Sequence, residues 1–244
     1  MGEVFINRIS GGGTPTEFSN PLQILTESTT WTCPKTGTYF ISCIGSGGNG
    51  AIAFNEQYSV LASGGSGGIA ESTLSLHKGE SYVVTVNSGT TSFGNKLSAT
   101  AGANGKITRK DYDGFFEYPE SQARGGAGSG GDQNYPGEKG NFLSDFSGKS
   151  GQISGGSTSA SAKYGGAKGG TVSFSPCTII DDGDVSYYPV GCAAEPYQPI
   201  YNNLSPFGAG GGHVVASPGW LYSGENKINM THSPNGAIII ELLK

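Results

Sequence analysis

The sequence predicts an all-β protein in which strands from both ends of the chain build one fold and a glycine-rich body is inserted between them. Three observations predict it. Gly37–Ile44 (GTYFISCI), the meander over 69–101 and the closing stretch 236–243 (GAIIIELL) are rich in β-branched and aromatic residues. Between Gly125 and Gly140, glycine recurs at every third position, at 125, 128, 131, 137 and 140, with Asn134 standing in once. The composition is skewed to match: 43 of 244 residues are glycine and only 14% are charged, against the usual ~7% and ~25%.

A three-residue period suits neither an α-helix nor a strand. It suits a left-handed helix of the polyproline-II type, which has three residues per turn. Glycine along one edge lets another chain approach backbone to backbone. At ~3.1 Å per residue, 125–140 would form a rod roughly 50 Å long if unbroken. The spacing recurs at Gly64/Gly67, Gly65/Gly68, Gly102/Gly105, Gly148/Gly151, Gly166/Gly169 and Gly208/Gly211. Several such rods would make a slab held by backbone contacts, with Gly125, Gly128, Gly131, Gly137, Gly140, Gly166, Gly169, Gly208 and Gly211 as its scaffold. The competing reading is a set of flexible Gly/Ser linkers. Linkers rarely alternate with aromatic-rich segments, as each glycine patch does here. Collagen is excluded, because its glycine period is sustained and proline is abundant, whereas this chain has 12 Pro.

Taken in order, residues 1–20 read as an N-terminal arm or attachment segment. Residues 21–28 (PLQILTES) have strand character, and 29–34 read as a turn carrying Trp31. In 37–44, Tyr39, Ile41 and Cys43 share one face, and Phe40, Ser42 and Ile44 the other. After two glycine patches, Leu74 and Leu76 point inward in the strand 70–76. Lys78-Gly79-Glu80 turns the chain. Tyr82, Val84 and Val86 share a face, and short strands follow at 92–94 and 97–101. Residues 102–234 show little regular pattern. Residues 236–243 are apolar on both faces, which suits a central or doubly covered strand. The predicted division is 1–20 as arm, 21–105 plus 236–244 as β base, and 106–235 as glycine-rich body with variable loops.

Net charge is −5, and no basic stripe marks a nucleic-acid partner. No apolar run approaches the ~20 residues of a membrane span. The first residues lack the apolar core of a signal peptide, so synthesis in a cytoplasm is expected. With 4 Cys and no CxxC pair, neither a zinc site nor another metal site is expected. The default is four unpaired, mostly buried thiols, and Cys177 and Cys192 bracket a loop that a disulfide could close.

The segments TWTCPKTGTYFISCIGSGGNG, GGSGGIAESTLSLHKGESYVVTVNSGTTSFG, LSATAG and NGAIIIEL together resemble the glycine-rich domains of bacteriophage tail and tail-fibre proteins. The resemblance covers roughly 30–105 and 236–243. The body is similar to the adhesin of T-even-type long tail fibres, in which stacked polyglycine-II helices carry hypervariable loops that contact the host. It departs from that family in its longer N-terminal β portion and in its loops. A vertebrate receptor ectodomain with a glycine-rich module is a weaker relative. The resemblance implies a β-sandwich of jelly-roll/TNF-like kind with an inserted bundle of polyglycine-II helices. It implies a virion tail location and other tail proteins as partners; since tail fibres are commonly trimers, a homotrimer is one arrangement, and stacked glycine rods closing within one chain is the other.

Nothing in the residues points to catalysis. His77, His213 and His232 form no ligand set or base–nucleophile spacing. The pairs Glu117/Glu120 and Asp111/Asp113 read as solvated loop charges. Asp181-Asp182-Gly183-Asp184 reads as a tight turn, since it lacks EF-hand spacing. No phosphate-loop motif follows any glycine patch, and no cofactor is implied. The recognition candidates are Tyr112, Phe115, Phe116 and Tyr118; Tyr187, Tyr188, Tyr197 and Tyr201; and Trp220 and Tyr222. Such rings give rigid contact area with a polar handle, suited to a cell-surface glycan or protein. They could also cover the glycine slab as its missing side-chain core. The expected function is attachment to a bacterial surface without catalysis. The alternatives are a purely structural virion component, at the tail tip or decorating the capsid, and a glycan depolymerase.

Overall fold

The computed structural model describes residues 22–54, 59–106, 108–109, 116–117, 122–145, 151–167, 169, 171–181, 184–191, 207–208, 214–216 and 236–243. Among them no helix occurs. The strands are β1 Leu22–Leu25, β2 Thr29–Thr32, β3 Gly37–Ile44, β4 Gly50–Phe54, β5 Ser59–Ala62, β6 Ile69–Leu76, β7 Ser81–Val86, β8 Thr90–Phe93, β9 Leu97–Thr100, β10 Thr108–Arg109, β11 Phe116–Glu117, β12 Gly128–Ser129, β13 Gln133–Tyr135, β14 Phe142–Asp145, β15 Gly151–Ser154, β16 Thr171–Asp181, β17 Asp184–Gly191, β18 Val214–Ala216 and β19 Ala237–Leu242.

Two antiparallel five-stranded sheets, β1-β19-β3-β6-β13 and β12-β9-β8-β7-β2, enclose the main core. Period-two alternation explains which residues fill it. Tyr39, Ile41 and Cys43 of β3 meet Val84 of β7, Phe93 of β8 and Leu97 and Ala99 of β9. Fully burying each large apolar side chain contributes about 1.5–3 kcal/mol. Trp31 stands at the centre, edge-on to Tyr39 at 5.8 Å and 5.7 Å from the Phe93 ring, while Tyr82 stacks on Phe93 at 4.7 Å. The buried indole N–H donates to Gln23 Oε1 at 2.8 Å.

The first sheet is covered on both faces. Ile238 and Ile240 of β19 enter the main core, while Ala237 and Ile239 join Ile24, Ile44 and Ile69 on the far side under Ala162, Tyr164 and Phe207. This double burial is why the closing strand is apolar on both faces. It lies between β1 and β3, so the two ends of the fold are hydrogen-bonded to each other.

Polar contacts seat the 159–166 turn on that far side. Lys163 Nζ pairs with the Glu241 carboxylate, to which Tyr164 also donates at 2.8 Å. The same ammonium lies 4.7 Å from the Phe40 ring centroid. The Lys163 backbone N–H and the Ser42 hydroxyl each donate to the buried Glu71 carboxylate at 3.2 Å.

The structure departs from the sequence reading in three places. Residues 29–32 form strand β2 rather than a turn, because Trp31 is drawn into the core while Thr29–Thr32 pairs with β7. Residues 102–234, read as largely irregular, contain nine of the strands described above. Their partners are distant in sequence: β12 pairs with β9, β13 with β6, and β18 runs parallel to β4. Finally, 125–140 is no single rod. Gly128–Ser129 and Gln133–Tyr135 join opposite sheets, and Gly130 turns between them with φ +81°. Asn134, the exception in the glycine period, holds this turn. Its side chain accepts from Gly131 N at 3.1 Å and donates to Gly131 O at 2.9 Å.

Asp181 of β16 pairs with Asp184 of β17, while Asp182 and Gly183, the centre of the expected tight turn, lie outside the described residues. Cys33 and Cys43 are buried free thiols. Cys177 lies on β16, while Cys192, and with it the question of their pairing, lies outside the described residues.

Candidate functional site

Where the sheets end, glycine-rich segments take over. β3 runs into 45–49, 63–68 runs into β6, β9 runs into 101–105, 123–127 runs into β12, and β13 runs into 136–141. Backbone hydrogen bonds link these segments at three-residue intervals. Gly45 and Gly48 donate to Gly68 and Gly65 at 2.9 and 2.8 Å, and Gly102 and Gly105 donate to Ser46 and Asn49 at 2.9 and 2.7 Å. Gly137 and Gly140 donate to Gly126 and Ala123, each at 2.8 Å.

Residues 63–68 lie at the centre, bonded to six other stretches of chain. They exchange backbone bonds with Gly45 and Gly48, Thr100 and Ala103, Gly126, Glu138 and Asn141, Gly156, and Gly208. Such crowding requires glycine. A Cβ on Gly64 would overlap the Gly48 carbonyl, and one on Gly67 would overlap that of Gly45. The two serines in this stretch are fully buried and serve as cross-links. Ser66 Oγ donates to Ser157 O and accepts from Glu138 N, both at 2.8 Å, and Ser63 Oγ donates to Ser154 O at 2.8 Å and accepts from Asn141 N at 2.7 Å.

The predicted scaffold glycines mostly occupy such tight positions. Gly125 abuts Gly137, Gly128 abuts Ile69, Gly131 abuts Glu71, Gly137 abuts Ser66, Gly140 abuts Ser63 and Gly169 abuts Gly155, in each case with the carbonyl where a Cβ would stand. Gly166 and Gly208 serve differently, with φ of +83° and +72°. Gly211 lies outside the described residues. The centre of the bundle, 63–68, was visible in the sequence only as two glycine pairs. Nothing in the residue pattern marked Ser63 and Ser66 as buried.

The directions of these segments decide at which end of the bundle the intervening chain leaves and returns. The 63–68 stretch runs antiparallel to 45–49, 102–105 runs parallel to 46–49, and 123–126 and 137–140 are antiparallel to each other. Segments 50–62, 106–122 and 142–154 therefore each leave and re-enter the bundle at the end away from the two sheets. Gly169, beside Gly155, lies at that end, so 170 onward starts there too. β18 is paired there with β4. Phe116 on β11 belongs to 106–122, and Tyr187 and Tyr188 on β17 belong to the chain that follows 169. Tyr112, Phe115, Tyr118, Tyr197, Tyr201, Trp220 and Tyr222 lie outside the described residues.

Titratable groups with displaced pKa values sit in the sandwich and serve structure. The Ser72 hydroxyl, at 2.7 Å, and the Thr73 N–H hold the Asp132 carboxyl below its usual range. Hydrogen bonds from the His77 N–H and the Tyr82 hydroxyl do the same for Glu80. Among the described residues, no group of three or more His, Cys, Asp or Glu side chains is placed to hold a metal ion. No described helix is long and apolar enough to cross a membrane. Compared with known protein families and with curated proteins, the sequence matches neither.

Proposed function

We propose that this chain is a bacteriophage tail-fibre or receptor-binding protein that attaches a virion to the bacterial surface without catalysis. The observation that carries this reading is the shared end of the glycine bundle, from which the intervening segments emerge away from the sandwich. Loops held by a stiff scaffold are well placed for recognition, because ordering them on contact costs less entropy. We take the glycine segments to be polyglycine-II helices. Bonds every third residue and the six-fold surroundings of 63–68 support this. We place the sandwich in the jelly-roll/TNF-like group. The pairing of first strand with last, and the alternation of β1, β2 and β3 between sheets, support this. The partner would be a surface glycan or outer-surface protein engaged by aromatic segments, with many weak contacts multiplied by copies on the particle.

The test is binding of the purified chain to a panel of bacterial cells, against a variant whose residues 171–206 are replaced by a Gly–Ser linker. The expected result is at least a tenfold loss of binding, an apparent change of about 1.4 kcal/mol, with the melting transition retained. Equal binding by the variant, or no binding by the parent to any strain, would overturn the reading.

A further inference from the structure

The charge of the chain is unevenly placed. Segments 50–62, 106–122, 142–154 and 170–206 leave the bundle at the end away from the sandwich, and they hold ten of the 19 acidic residues but four of the 14 basic ones. They carry net −6, and the remainder of the chain carries +1. The longest of them, 170–206, has Asp181, Asp182, Asp184 and Glu195 and no lysine, arginine or histidine. β16 and β17 set where Asp181 and Asp184 stand. Thr171 of β16 pairs with Ser154, which the buried Ser63 hydroxyl ties to the hub, and β15 pairs no further along β16 than Phe174. Beyond Phe174 the described strand partner of β16 is β17 alone, so the two continue as a two-stranded ribbon as far as Asp181 and Asp184. At ~3.3 Å per residue, the ribbon reaches roughly 20 Å past β15. The register sets Asp181 opposite Asp184, a like-charge pairing that costs a strand pair stability.

We propose, on the attachment reading above, that this end of the molecule recognises a positively charged partner: a surface protein that presents lysine and arginine side chains to the β16–β17 ribbon. Complementary potentials steer encounter, and like charges facing each other across an interface cost binding energy. An end of net −6 therefore disfavours the charged polysaccharides of a bacterial envelope, whose charge is carried chiefly by phosphate and carboxylate groups. An ammonium or guanidinium group brought up to Asp181 and Asp184 would instead relieve the repulsion that their pairing creates in the free chain. The same distribution orients the approach. Attraction to a cationic patch acts on the end that carries the emerging segments, while the rest of the chain, at +1, is nearly neutral and drawn to neither sign. Because these charges stand in solvent-facing segments, the attraction is screened by salt.

Binding of the full chain to a strain that it recognises, titrated at about 50 mM and about 500 mM NaCl, tests this. The parent's affinity should fall with added salt, a readout that needs no variant. Asp181→Asn, Asp182→Asn and Asp184→Asn, made together, should weaken binding at least tenfold at the lower salt, with parent and variant converging at the higher. Glu27→Gln, at an exposed position of the sandwich, should change nothing. Protease treatment of the cells should abolish binding, and EDTA should not. Melting curves verify that the variants fold. Parent binding that salt leaves unchanged or strengthens, a triple variant that binds as well as the parent or better, binding that survives protease, or binding that EDTA removes would each overturn the proposal and leave attachment standing. A parent that binds no strain overturns the attachment reading and this proposal with it.

Discussion

The Gly137 amide donates to the Gly126 carbonyl at 2.8 Å, and beside it Gly125 meets the Gly137 carbonyl with no room for a methyl group. This pair shows how the bundle is held: hydrogen bonds and close backbone contact replace side-chain packing.

Alanine at such positions should therefore be costly. Gly125→Ala and Gly67→Ala force neighbouring backbone apart, and each should lower stability by about 1–3 kcal/mol or more, as overpacking does. Gly89→Ala is the control. Its methyl would only touch Asn87 Oδ1 at 3.5 Å, and the change should be neutral or slightly stabilising. Urea denaturation midpoints of the three variants check this.

Ser66→Ala should cost about 1–3 kcal/mol, because it deprives the Ser157 carbonyl and the Glu138 amide of a partner in a fully buried site. Glu138 N keeps a longer bond to Ser157 O at 3.3 Å, which places the loss toward the lower end. Ser66→Cys fills the volume with a poorer donor and should fall between. Thermal melts of both variants measure it.

Gln23→Leu removes the acceptor of the buried Trp31 indole N–H. An orphaned donor of this kind costs about 1–3 kcal/mol. Unfolding followed by tryptophan fluorescence should show the lower midpoint. Gln23→Glu should do less damage, since it keeps an acceptor at this position.

Stability should decline at both pH extremes through identifiable groups. Burial pushes the Cys43 thiol up to about 12 and holds the Tyr39 hydroxyl above its usual range. Raised values mean that the protonated forms favour the fold. Their contribution is complete below the unfolded pKa, about 8.5 for cysteine, and is lost as pH rises toward the folded value. Cys43→Ala should flatten this alkaline decline, and native Cys43 should resist alkylation. Asp132 is depressed, so its contribution is present above about pH 4 and lost as pH falls through the folded pKa. Asp132→Asn should flatten the acid limb. Denaturation midpoints across pH decide both.

Residues 106–122 should be dispensable for folding. Ala103 N bonds to Arg124 O at 2.8 Å, so the two ends of the segment are neighbours in the bundle. Replacing 106–122 by a linker of about five residues shortens the loop, and the closure term alone changes by only about 1 kcal/mol. A retained melting transition is expected; loss of cooperative unfolding would show that this segment supports the bundle.

Much of the sandwich was legible because its cause is local. The alternation in 37–44 and 81–86 places Tyr39, Ile41 and Val84 in the core whatever their partners, and the doubly apolar 236–243 implied cover on both faces. β2 was missed because turn-like neighbours, Pro34 and Lys35, outweighed a four-residue strand whose formation depends on where Trp31 is buried. Ser63 and Ser66 gave no signal, since serine beside glycine reads equally as linker. The aromatic candidates were named from composition, and the end of the bundle at which the segments carrying Phe116, Tyr187 and Tyr188 leave it emerged only from the antiparallel course of segments that meet across long stretches of chain.

The sequence by itself determined that the described part of the protein is all-β, which side chains face inward on its long strands, and that glycine-lined segments would pack backbone to backbone. Alternation and the missing Cβ are properties of single residues and their near neighbours. Only the tertiary structure decided that 63–68 is the hub, that 125–140 folds back on itself, and that the intervening segments leave at one end. These follow from which carbonyl each amide reaches, and every glycine segment offers nearly the same bare edge. The choice among partners is made by the assembled sheets that hold their ends.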